Sequence, residues 1–501
     1  MHDVKENCEL PNNVLQLNGK DLEPHHIFAI TRGETIPIAI DPIAMGNAEK
    51  AHQIYTAKTK DRRIYGGNSG LGSRKDIALN EENNNTDVTI AATATTTNAL
   101  GYLPPEISKA MLAIQINSFL SGGIGAVRPQ LINKLVDVFN TTDAKDFPSV
   151  PAIGNGHGDL NSAAIFAKWW MNKNKDFTLE PGEDLALIAG NYYPEAISAV
   201  FASNVERLMD IGYAVFAITS YAFDSQTEAV DLRVADARPL PKMTETIERI
   251  NKPLEQKKQL RRGRNLQDPI SFRSFPQVAA TIENQLDQLL EFLHIEINSA
   301  TQNPYSDKNK GDVIHNANFD TTQHSVILSS LQLGLAKYAD ISFKRLSKLC
   351  DPHFNGAIDG FGNNEKPKSG VQSLNLTNIA GQVLQKIVRD SQSNLTDSFS
   401  ISFQNSIEDS VSGLFQQSLY ASRLIDDVSV VMTCELIAGI AGIRYKIDNG
   451  ILTKDALPEQ LVTIYDALSP MINTSGTATN PLDIDSIREC FNNKTLFPTR
   501  L

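Results

Sequence analysis

The sequence comprises 501 residues, of which 41% are hydrophobic and 21% are charged, an ordinary globular composition with enough apolar side chains for a large core. A net charge of -12 and a pI near 5.3 argue against binding to nucleic acid or to anionic membranes, because both need clusters of Lys and Arg. No stretch reaches the roughly 18 consecutive apolar residues of a membrane span, and the first 30 residues contain no apolar signal segment. These features predict a cytoplasmic protein that binds neither nucleic acid nor membrane.

The four cysteines are scattered, and no two have the spacing of a zinc site or a redox motif: they are Cys8, Cys350, Cys434 and Cys490. Such a pattern is typical of free thiols in a reducing compartment. The sequence therefore predicts neither a disulfide framework nor a metal site.

The N-terminal region, residues 1–104, combines a short strand with a long polar loop. Val14 to Leu17, followed by Asn18-Gly19, is typical of a strand and a turn. Residues 65–98 are rich in Gly, Asn, Thr and Ser, and so long a polar segment is more often a functional lid than a simple connection. We expect a small mixed region whose loop serves the function.

The remainder, residues 105–501, has the periodicity of long helices. After Pro276, apolar residues recur at helical spacing, at Val278, Ile282, Leu286, Leu289, Leu290, Leu293 and Ile297. Similar stretches fall around 326–348, 371–395, 406–420 and 422–445. Helices well above the average length of about 12 residues usually pack as a bundle. The pattern predicts a mainly α protein, a single unit over 1–501 in which a long-helix bundle follows the mixed N-terminal region. The basic run 252–264 is interpreted as a solvated face or a linker.

Four separated segments match the motifs of one enzyme family. Residues 65–72 read YGGNSGLG, similar to YGxNTGFG, and Gly158-Asp159-Leu160 occupies the site of ASGDL. Residues 267–278 read QDPISFRSFPQV, similar to QDxYSLRxxPQV, and residues 408–412 read EDSVS, similar to the end of QEDHVS. Weaker matches keep the same order, at residues 103–106, 127–129, 185–188 and 318–319. Over nearly its whole length the chain resembles the aromatic amino-acid ammonia-lyase and aminomutase family, which includes the histidine, phenylalanine and tyrosine ammonia-lyases.

This resemblance implies a mostly helical homotetramer that acts on a small-molecule substrate, with each active site assembled from three subunits. It also implies an electrophilic cofactor, methylidene-imidazolone, which the family forms by cyclising Ala-Ser-Gly and eliminating the serine hydroxyl as water. The equivalent triplet here is Gly156-His157-Gly158. Histidine has no β-hydroxyl to lose, so no cofactor is expected by the usual route. Backbone cyclisation followed by oxidation is the alternative, and the mass of the intact protein would reveal it.

The resemblance also assigns roles to retained residues. Tyr65 matches the family's catalytic base, and Arg273 matches the arginine that binds the substrate carboxylate, for which a planar guanidinium is well suited. Glu408 matches a pocket carboxylate near the substrate amino group or side chain. The remaining candidates for substrate binding are Gln267, Asn318 and Phe319. The structural alternatives are an aromatic anchor for the loop at Tyr65, an ion pair at Arg273, a surface position at Glu408 and core packing at Phe319.

His157 is the second candidate for acid–base catalysis. Asp159 is expected to be the N-cap of a helix that begins near Leu160, which places His157 at the positive end of that helix. A positive dipole disfavours the imidazolium form, and a neutral imidazole can act as a general base. The alternative is a histidine that only satisfies backbone groups in the pocket.

Several family positions have changed as well. The family's loop histidine falls at Thr95, its asparagine after the LALx segment at Ala189, and its second tyrosine at Ile270; two further histidines fall at Asp320 and Ser410. Much of the polar lining that supports the electrophile is therefore missing. The leading hypothesis is an enzyme that uses acid–base chemistry for elimination, addition, isomerisation or cyclisation. The alternatives are a catalytically silent binding or assembly subunit, and an ammonia-lyase that works by a non-standard route.

Overall fold

The computed structural model describes residues 14–34, 36–79, 89–90, 93–94, 101–154, 159–254, 263–355, 357, 361, 373–393, 409–410, 413–472 and 482–499. The helices of these residues are, in chain order, α1 Pro24–Thr31, α2 Pro42–Asp61, α3 Pro105–Leu120, α4 Pro129–Thr141, α5 Leu160–Lys173, α6 Glu183–Ile188, α7 Tyr192–Phe223, α8 Leu232–Ala237, α9 Met243–Leu254, α10 Ile270–Arg273, α11 Phe275–Glu296, α12 Thr322–Cys350, α13 Pro352–Asn355, α14 Ser373–Ser393, α15 Leu414–Asp448, α16 Glu459–Leu468 and α17 Ile484–Glu489. The strands are β1 Leu15–Leu17, β2 Ile38–Ile40, β3 Tyr102–Leu103, β4 Val150–Pro151, β5 Tyr305–Asp307 and β6 Asp312–Ile314.

The chain forms two compact units. The first unit comprises residues 1–201, 289–326 and 396–420, and the second comprises residues 202–288, 327–395 and 421–501. Four of the five boundaries fall inside the long helices α7, α11, α12 and α15, so each of these helices contributes residues to both units; the fifth, between residues 395 and 396, lies outside the described residues.

The first unit contains all six described strands, paired in three small sheets. β1 and β2 are parallel, with Leu15 opposite Ile38, whereas β3 pairs with β4 and β5 with β6 in antiparallel fashion. Helix α3 is the core of this unit, because its side chains are buried on every face from Met111 to Leu120. A helix that is buried all round is enclosed by other elements, and the buried polar side chains of α3, Gln115, Asn117 and Ser118, donate to backbone carbonyls. The predicted strand at residues 14–17 is confirmed as β1.

The second unit is organised around a cluster of buried aromatic rings. Phe216 stacks on Phe275 with ring centroids 4.2 Å apart, and Phe223 stacks on Phe272 at 4.4 Å. Burial of rings of this size is a large favourable contribution, and the parallel offset arrangement is one that aromatic pairs prefer. The cluster packs α7 against α10 and α11, and it thereby fixes the segment that contains Arg273.

The prediction of a mainly α fold with long helices is confirmed, and most of the predicted helices are found. The stretch 278–297 corresponds to α11, 326–348 to α12 and 371–395 to α14. The two separate stretches 406–420 and 422–445 were wrong: α15 is one helix of 35 residues that begins only at Leu414. Nothing interrupts it at residue 421, because that residue is a buried alanine, the best helix former. Among the described residues, no helix is long and apolar enough to cross a membrane.

Candidate active site

The loop that contains Tyr65 is folded back on the end of α2 by one side chain. The Asn68 amide oxygen accepts from the Ile64 N–H at 2.7 Å, and its amide nitrogen donates to the carbonyls of Thr59 at 2.6 Å and Arg62 at 2.9 Å. The two carbonyls lie at or just after the C-terminal end of α2, where helical carbonyls lack partners within the helix. Asn68 therefore satisfies these groups and fixes the start of the loop.

Two glycines allow this loop to approach its neighbours closely. Gly66 has a φ of 72°, and a Cβ there would lie 2.3 Å from the Leu185 side chain on α6. A Cβ at Gly67 would lie 2.3 Å from the hydroxyl oxygen of Tyr55 on α2. A larger residue would force the loop away from α6 at Gly66 and away from α2 at Gly67.

Tyr65 is held at both its backbone and its side chain. Its phenol oxygen accepts a hydrogen bond from the Gly72 N–H at 2.9 Å, and its own backbone N–H donates to Nε2 of His315 at 3.1 Å. The side chain is half-buried. A backbone N–H directed at the phenol oxygen stabilises negative charge on that oxygen, as a catalytic base needs. Thr95 lies outside the described residues, as do residues 80–88, 91–92 and 96–98 of the polar loop.

Asp159 marks the start of α5, as predicted, but it does not cap that helix. Its side chain makes no capping bond to α5 and instead accepts from the Tyr193 N–H at 2.7 Å. Its own N–H donates to the carbonyl of Gly190 at 3.2 Å. The expected capping role was wrong because this carboxylate is completely buried and meets the unpaired amides in the first turn of α7. His157 and its neighbours, residues 155–158, lie outside the described residues.

Burial raises the pKa of several carboxyl groups in and around the Asp159 site. Burial raises the pKa of Asp159 to about 7, even though the Tyr193 N–H favours the charged form. Burial, together with the charges of Glu296 and Asp159, also raises the pKa of Glu195 on α7. Burial raises the pKa of Glu296 on α11 to about 7. Among the described residues, no hydrogen-bond partner reaches either carboxyl oxygen of Glu195. The interior of the first unit therefore disfavours negative charge near Asp159.

The turn between α6 and α7 contacts both Asp159 and the segment that contains Phe319, a predicted substrate-binding residue. The amide nitrogen of Gln302 donates to the Ala189 carbonyl at 2.7 Å, and the amide nitrogen of Asn191 donates to the Phe319 carbonyl at 3.0 Å. Phe319 and Asp159 thus contact the same short turn, residues 189–193. Sequence reasoning missed Asn191 and His315, because neither lies within a motif and their partners are distant in sequence.

Asn318 and Asp320 flank Phe319 on the surface of the first unit. Both side chains are exposed, and the backbone N–H of Asn318 donates to the side chain of Asn316 at 2.8 Å. The segment thus keeps its turn through its own side chains, and no described contact assigns a substrate-facing role to Asn318. Its role stays a prediction.

The second unit holds Arg273 through its backbone neighbours. Asp268 is buried, and its carboxylate accepts from the Ser225 hydroxyl at 2.7 Å and from the Gln226 N–H at 2.6 Å. Nε of Arg273 donates to the Asp268 carbonyl at 2.7 Å. The Arg273 side chain is exposed, and within the described part of the chain its terminal nitrogens have no acidic partner. This arrangement leaves the outer edge of the guanidinium available for a carboxylate.

A buried ion pair supports the helix that ends at Arg273. Arg345 and Glu435 are both completely buried, with Nε 2.6 Å from Oε1, and Arg345 also donates to the Ser271 carbonyl at 3.1 Å. Gln267 is exposed at the start of the same segment, and the apolar side chain of Ile270 is 69% exposed. The ion pair therefore anchors a surface segment that presents Gln267 and Arg273.

The fourth motif is only partly described. Glu408 lies outside the described residues, whereas Asp409 and Ser410 are exposed. No group of His, Cys, Asp and Glu able to hold a metal ion is found within the described ranges. The roles predicted for Glu408 and His157 stay predictions.

Comparisons with known proteins give the family. The sequence profile described as Aromatic amino acid lyase matches residues 22–459. The chain is 28% identical over 369 residues to histidine ammonia-lyase from Geobacillus sp. (strain WCH70), covering 68% of this chain and 71% of that protein. Its fold is similar to ergothionase from Treponema denticola (TM-score 0.83, 20% identity, covering 97% of this chain and 100% of the other) and to phenylalanine aminomutase from Pantoea agglomerans (TM-score 0.83, 18% identity, covering 96% and 98%). The chain therefore belongs to the aromatic amino acid lyase family, a family of lyase and isomerase enzymes, as its motifs predict.

Proposed function

We propose that this protein is a lyase or isomerase that works by acid–base chemistry, without the methylidene-imidazolone electrophile, on a small amino-acid-derived or aromatic carboxylate. The observation that carries the proposal is the arrangement of Tyr65: the Gly72 N–H donates to its phenol oxygen, and Asn68 fixes the start of its loop. The family's catalytic tyrosine is thus retained, although residue 157 is a histidine. A loop kept in this form favours retained catalysis, because loops are otherwise free to vary.

The residues present do not fit the family's usual cofactor. Gly156-His157-Gly158 offers no hydroxyl whose loss would create the exocyclic double bond. The turn that contacts Asp159 carries only the methyl group of Ala189, where the family has an asparagine side chain. No step of the proposed reaction therefore passes through that cofactor.

Tyr65 and His157 are proposed as the acid and the base. The Gly72 N–H supports negative charge on the Tyr65 oxygen, and a neutral imidazole at residue 157 accepts or returns a proton. General acid–base catalysis alone contributes about 10²–10⁴-fold. The substrate should therefore have an acidic hydrogen or a good leaving group, rather than the unactivated β-hydrogen of an ordinary aromatic amino acid.

Arg273 is proposed as the anchor of the substrate carboxylate. Its terminal nitrogens have no acidic partner among the described residues, and a bidentate pair with a carboxylate would satisfy them. Gln267, Asn318, Phe319 and Glu408 are proposed as further substrate-binding residues, as the family resemblance implies.

The homotetramer implied by the family is part of the same proposal, as is a cytoplasmic location. The segment beside Arg273 exposes two large apolar side chains, Leu266 at 94% and Ile270 at 69%. Neighbouring apolar side chains at this exposure are typical of surfaces that a partner covers. Size-exclusion chromatography with light scattering would report a mass of four chains if the proposal holds, and of one chain if it does not.

The chemical proposal is tested on the purified full-length chain. It is incubated with L-histidine, L-phenylalanine, L-tyrosine, their β-amino isomers, ergothioneine and a panel of aryl acids, and the products are identified by mass spectrometry. Tyr65→Phe and His157→Ala should each lower turnover by at least about 100-fold. Tyr102→Phe and His353→Ala serve as matched controls, because both of these side chains are exposed outside the motifs, and they should leave turnover unchanged.

Each alternative gives a different outcome in the same experiment. Full turnover in either active-site variant removes the role proposed for that residue. An intact mass that is lower than the sequence mass would indicate a cyclised backbone and a non-standard electrophile. No turnover across the panel would favour a silent subunit, in line with the losses at Ala189, Ile270 and Asp320.

A further inference from the structure

His315 contacts the backbone of Tyr65 although 250 residues separate them in sequence. The imidazole Nε2 accepts the Tyr65 N–H at 3.1 Å, directly after β6. On the same side, the Arg62 guanidinium donates to the Val313 carbonyl and lies 3.2 Å from the carboxylate of Asp312. The end of α2 and the start of the Tyr65 loop are therefore attached to β6 and to the residue that follows it.

This contact requires a neutral imidazole. Nε2 accepts a hydrogen bond only when its lone pair is free, so the ring proton must reside on Nδ1. Protonation would place an N–H of the ring against the N–H of Tyr65, and the hydrogen bond would become a repulsion. The hydrogen bond from the Tyr65 N–H to His315 therefore depends on the protonation state of the ring.

The charged groups around His315 favour the neutral ring. Arg62 and Lys58 approach from the end of α2, and Asp312 lies on β6. Both cations form salt bridges with the Asp312 carboxylate. His315 is exposed on the surface of the first unit, but partial desolvation of its ring, with a further contribution from the charge of Arg62, lowers its pKa below the ordinary value of 6.5. At neutral pH the ring is therefore in the form that accepts the Tyr65 N–H.

The opposite end of the tyrosine is held by the loop itself, through the Gly72 N–H on the phenol oxygen. The His315 contact fixes the Tyr65 backbone, and the Gly72 contact then fixes the direction of the side chain. Loss of the first contact would let residue 65 move relative to β6, and the phenol would lose its defined position.

We propose that His315 is a positioning residue for Tyr65, which holds the backbone of residue 65 against the end of β6 while its ring is neutral and gives up this contact when the ring is protonated. This structural role of the hydrogen bond between His315 and Tyr65, the hold on the loop, does not depend on whether the protein catalyses a reaction. Its consequence for turnover rests on the catalytic role proposed above for Tyr65.

Hydrogen exchange measured by mass spectrometry tests the hold on the loop. Peptides that cover residues 63–72 are followed between pH 5 and pH 8 in the full-length chain, with rates corrected for the intrinsic effect of pH. His315→Ala should exchange in this segment about two- to tenfold faster than wild type at pH 7.5, the effect of one lost hydrogen bond. Wild type should approach the variant as the pH falls below 6.5.

His315→Gln distinguishes positioning from a general loss of structure. Its side-chain oxygen is an acceptor that does not titrate in this range, so the segment should stay protected at pH 5 as well as at pH 7.5. His353→Ala, on the exposed helix α13, is the matched control and should exchange as wild type does. Equal exchange of residues 63–72 in wild type and His315→Ala at every pH would overturn the inference.

An activity profile separates this inference from the proposed function. With any substrate found in the panel, kcat/KM of wild type should fall more steeply below pH 6.5 than that of His315→Gln, in which His157 remains as the titrating histidine of the proposed mechanism. Faster exchange in His315→Ala with unchanged turnover would refute the role of Tyr65 but keep the hold on the loop. Unchanged exchange would refute the hold, whatever the activity of Tyr65→Phe.

Discussion

The carboxylate of Asp159 accepts a hydrogen bond from the backbone N–H of Tyr193 at 2.7 Å, and in this way it caps helix α7 rather than the helix that it begins. The first amides of a helix have no partner within the helix, and a buried N-terminus needs an acceptor from elsewhere. The two residues are 34 positions apart, so the contact joins two parts of the first unit. It also fixes Asp159 at the start of α7.

Removing this cap should destabilise the protein. Asp159→Ala leaves the buried Tyr193 N–H without an acceptor, at a cost of about 1–2 kcal/mol in the free energy of unfolding. Asp159→Asn keeps an amide oxygen in the same place and should be at least as stable as wild type at pH 8, because it also removes a carboxyl group whose burial disfavours charge. Urea unfolding at fixed protein concentration measures both. An equal loss in the Ala and Asn variants would show that the cap is not the cause.

The position of Asp159 could be predicted from the sequence, but the hydrogen-bond partner of its carboxylate could not. The start of α5 is visible in the sequence, because an Asp precedes an apolar helical stretch at Leu160. The partner of the carboxylate is not visible, since Tyr193 belongs to another helix and only tertiary packing brings it near. The same holds for His315 and Tyr65, where no local pattern indicates a contact across 250 residues.

Other parts of the site divide in the same way. The glycines of the 65–72 motif predict a tight loop, but the neighbours that exclude a side chain, Leu185 and Tyr55, emerge only from the fold. The motif around Arg273 predicts a functional arginine, whereas its support by Arg345 depends on two helices packed far along the chain. Local motifs thus predict which residues matter, and the fold decides what holds them.

A substitution at Gly67 should displace the Tyr65 loop through a clash with Tyr55. The added methyl of Gly67→Ala would lie 2.3 Å from the Tyr55 hydroxyl oxygen, which is buried between the loop and α2. Overpacking of this kind costs about 1–3 kcal/mol. Urea unfolding should show this loss, together with faster hydrogen exchange in residues 63–72.

A Tyr55→Phe substitution tests whether the clash with Tyr55 causes the loss of stability in Gly67→Ala. Tyr55→Phe removes the hydroxyl, after which the nearest ring atom would lie 3.1 Å from the new methyl. The double variant should therefore recover at least half of the stability lost in Gly67→Ala, as a coupling between neighbouring sites. Strictly additive losses would mean that Tyr55 does not set the position of the loop.

Breaking the buried ion pair of the second unit should be costly. Arg345→Met leaves Glu435 completely buried without a cation, and it also removes the donor to the Ser271 carbonyl. Loss of one partner of a buried pair costs about 3–5 kcal/mol. Urea unfolding should register this loss, and substrate binding should weaken because α10, which contains Arg273, loses its support.

An exposed pair provides the matched control. Arg233 and Asp231 form a salt bridge of 2.7 Å in the same unit, but the Arg233 side chain is 76% exposed. Arg233→Met should leave the urea midpoint close to that of wild type, because solvent screens such a pair. Similar losses in the two variants would contradict the buried role of Arg345.

The buried carboxyl groups of the first unit should make stability fall as pH rises. Burial raises the pKa of Glu296 from 4.5 to about 7, so between these values the folded protein keeps a proton that the unfolded chain has released. The free energy of unfolding decreases with pH wherever the folded state binds more protons. The penalty is therefore absent below pH 4.5, grows up to about pH 7 and is fully present above it. Glu195 acts in the same direction, because its pKa is raised as well.

Glu296→Gln removes this titration and should flatten the pH dependence. At pH 8 the variant should be more stable than wild type by about 1–3 kcal/mol, which is less than the full shift in pKa corresponds to, because the Glu296 side chain is only partly buried. The two proteins should be equally stable near pH 4.5. The urea midpoint measured from pH 4.5 to pH 8 at constant ionic strength and protein concentration gives the comparison. Glu49→Gln, on the exposed surface of α2, is the matched control and should follow wild type. A Glu296→Gln variant that loses stability at pH 8 would show instead that the ionised carboxylate has a favourable partner in the folded protein.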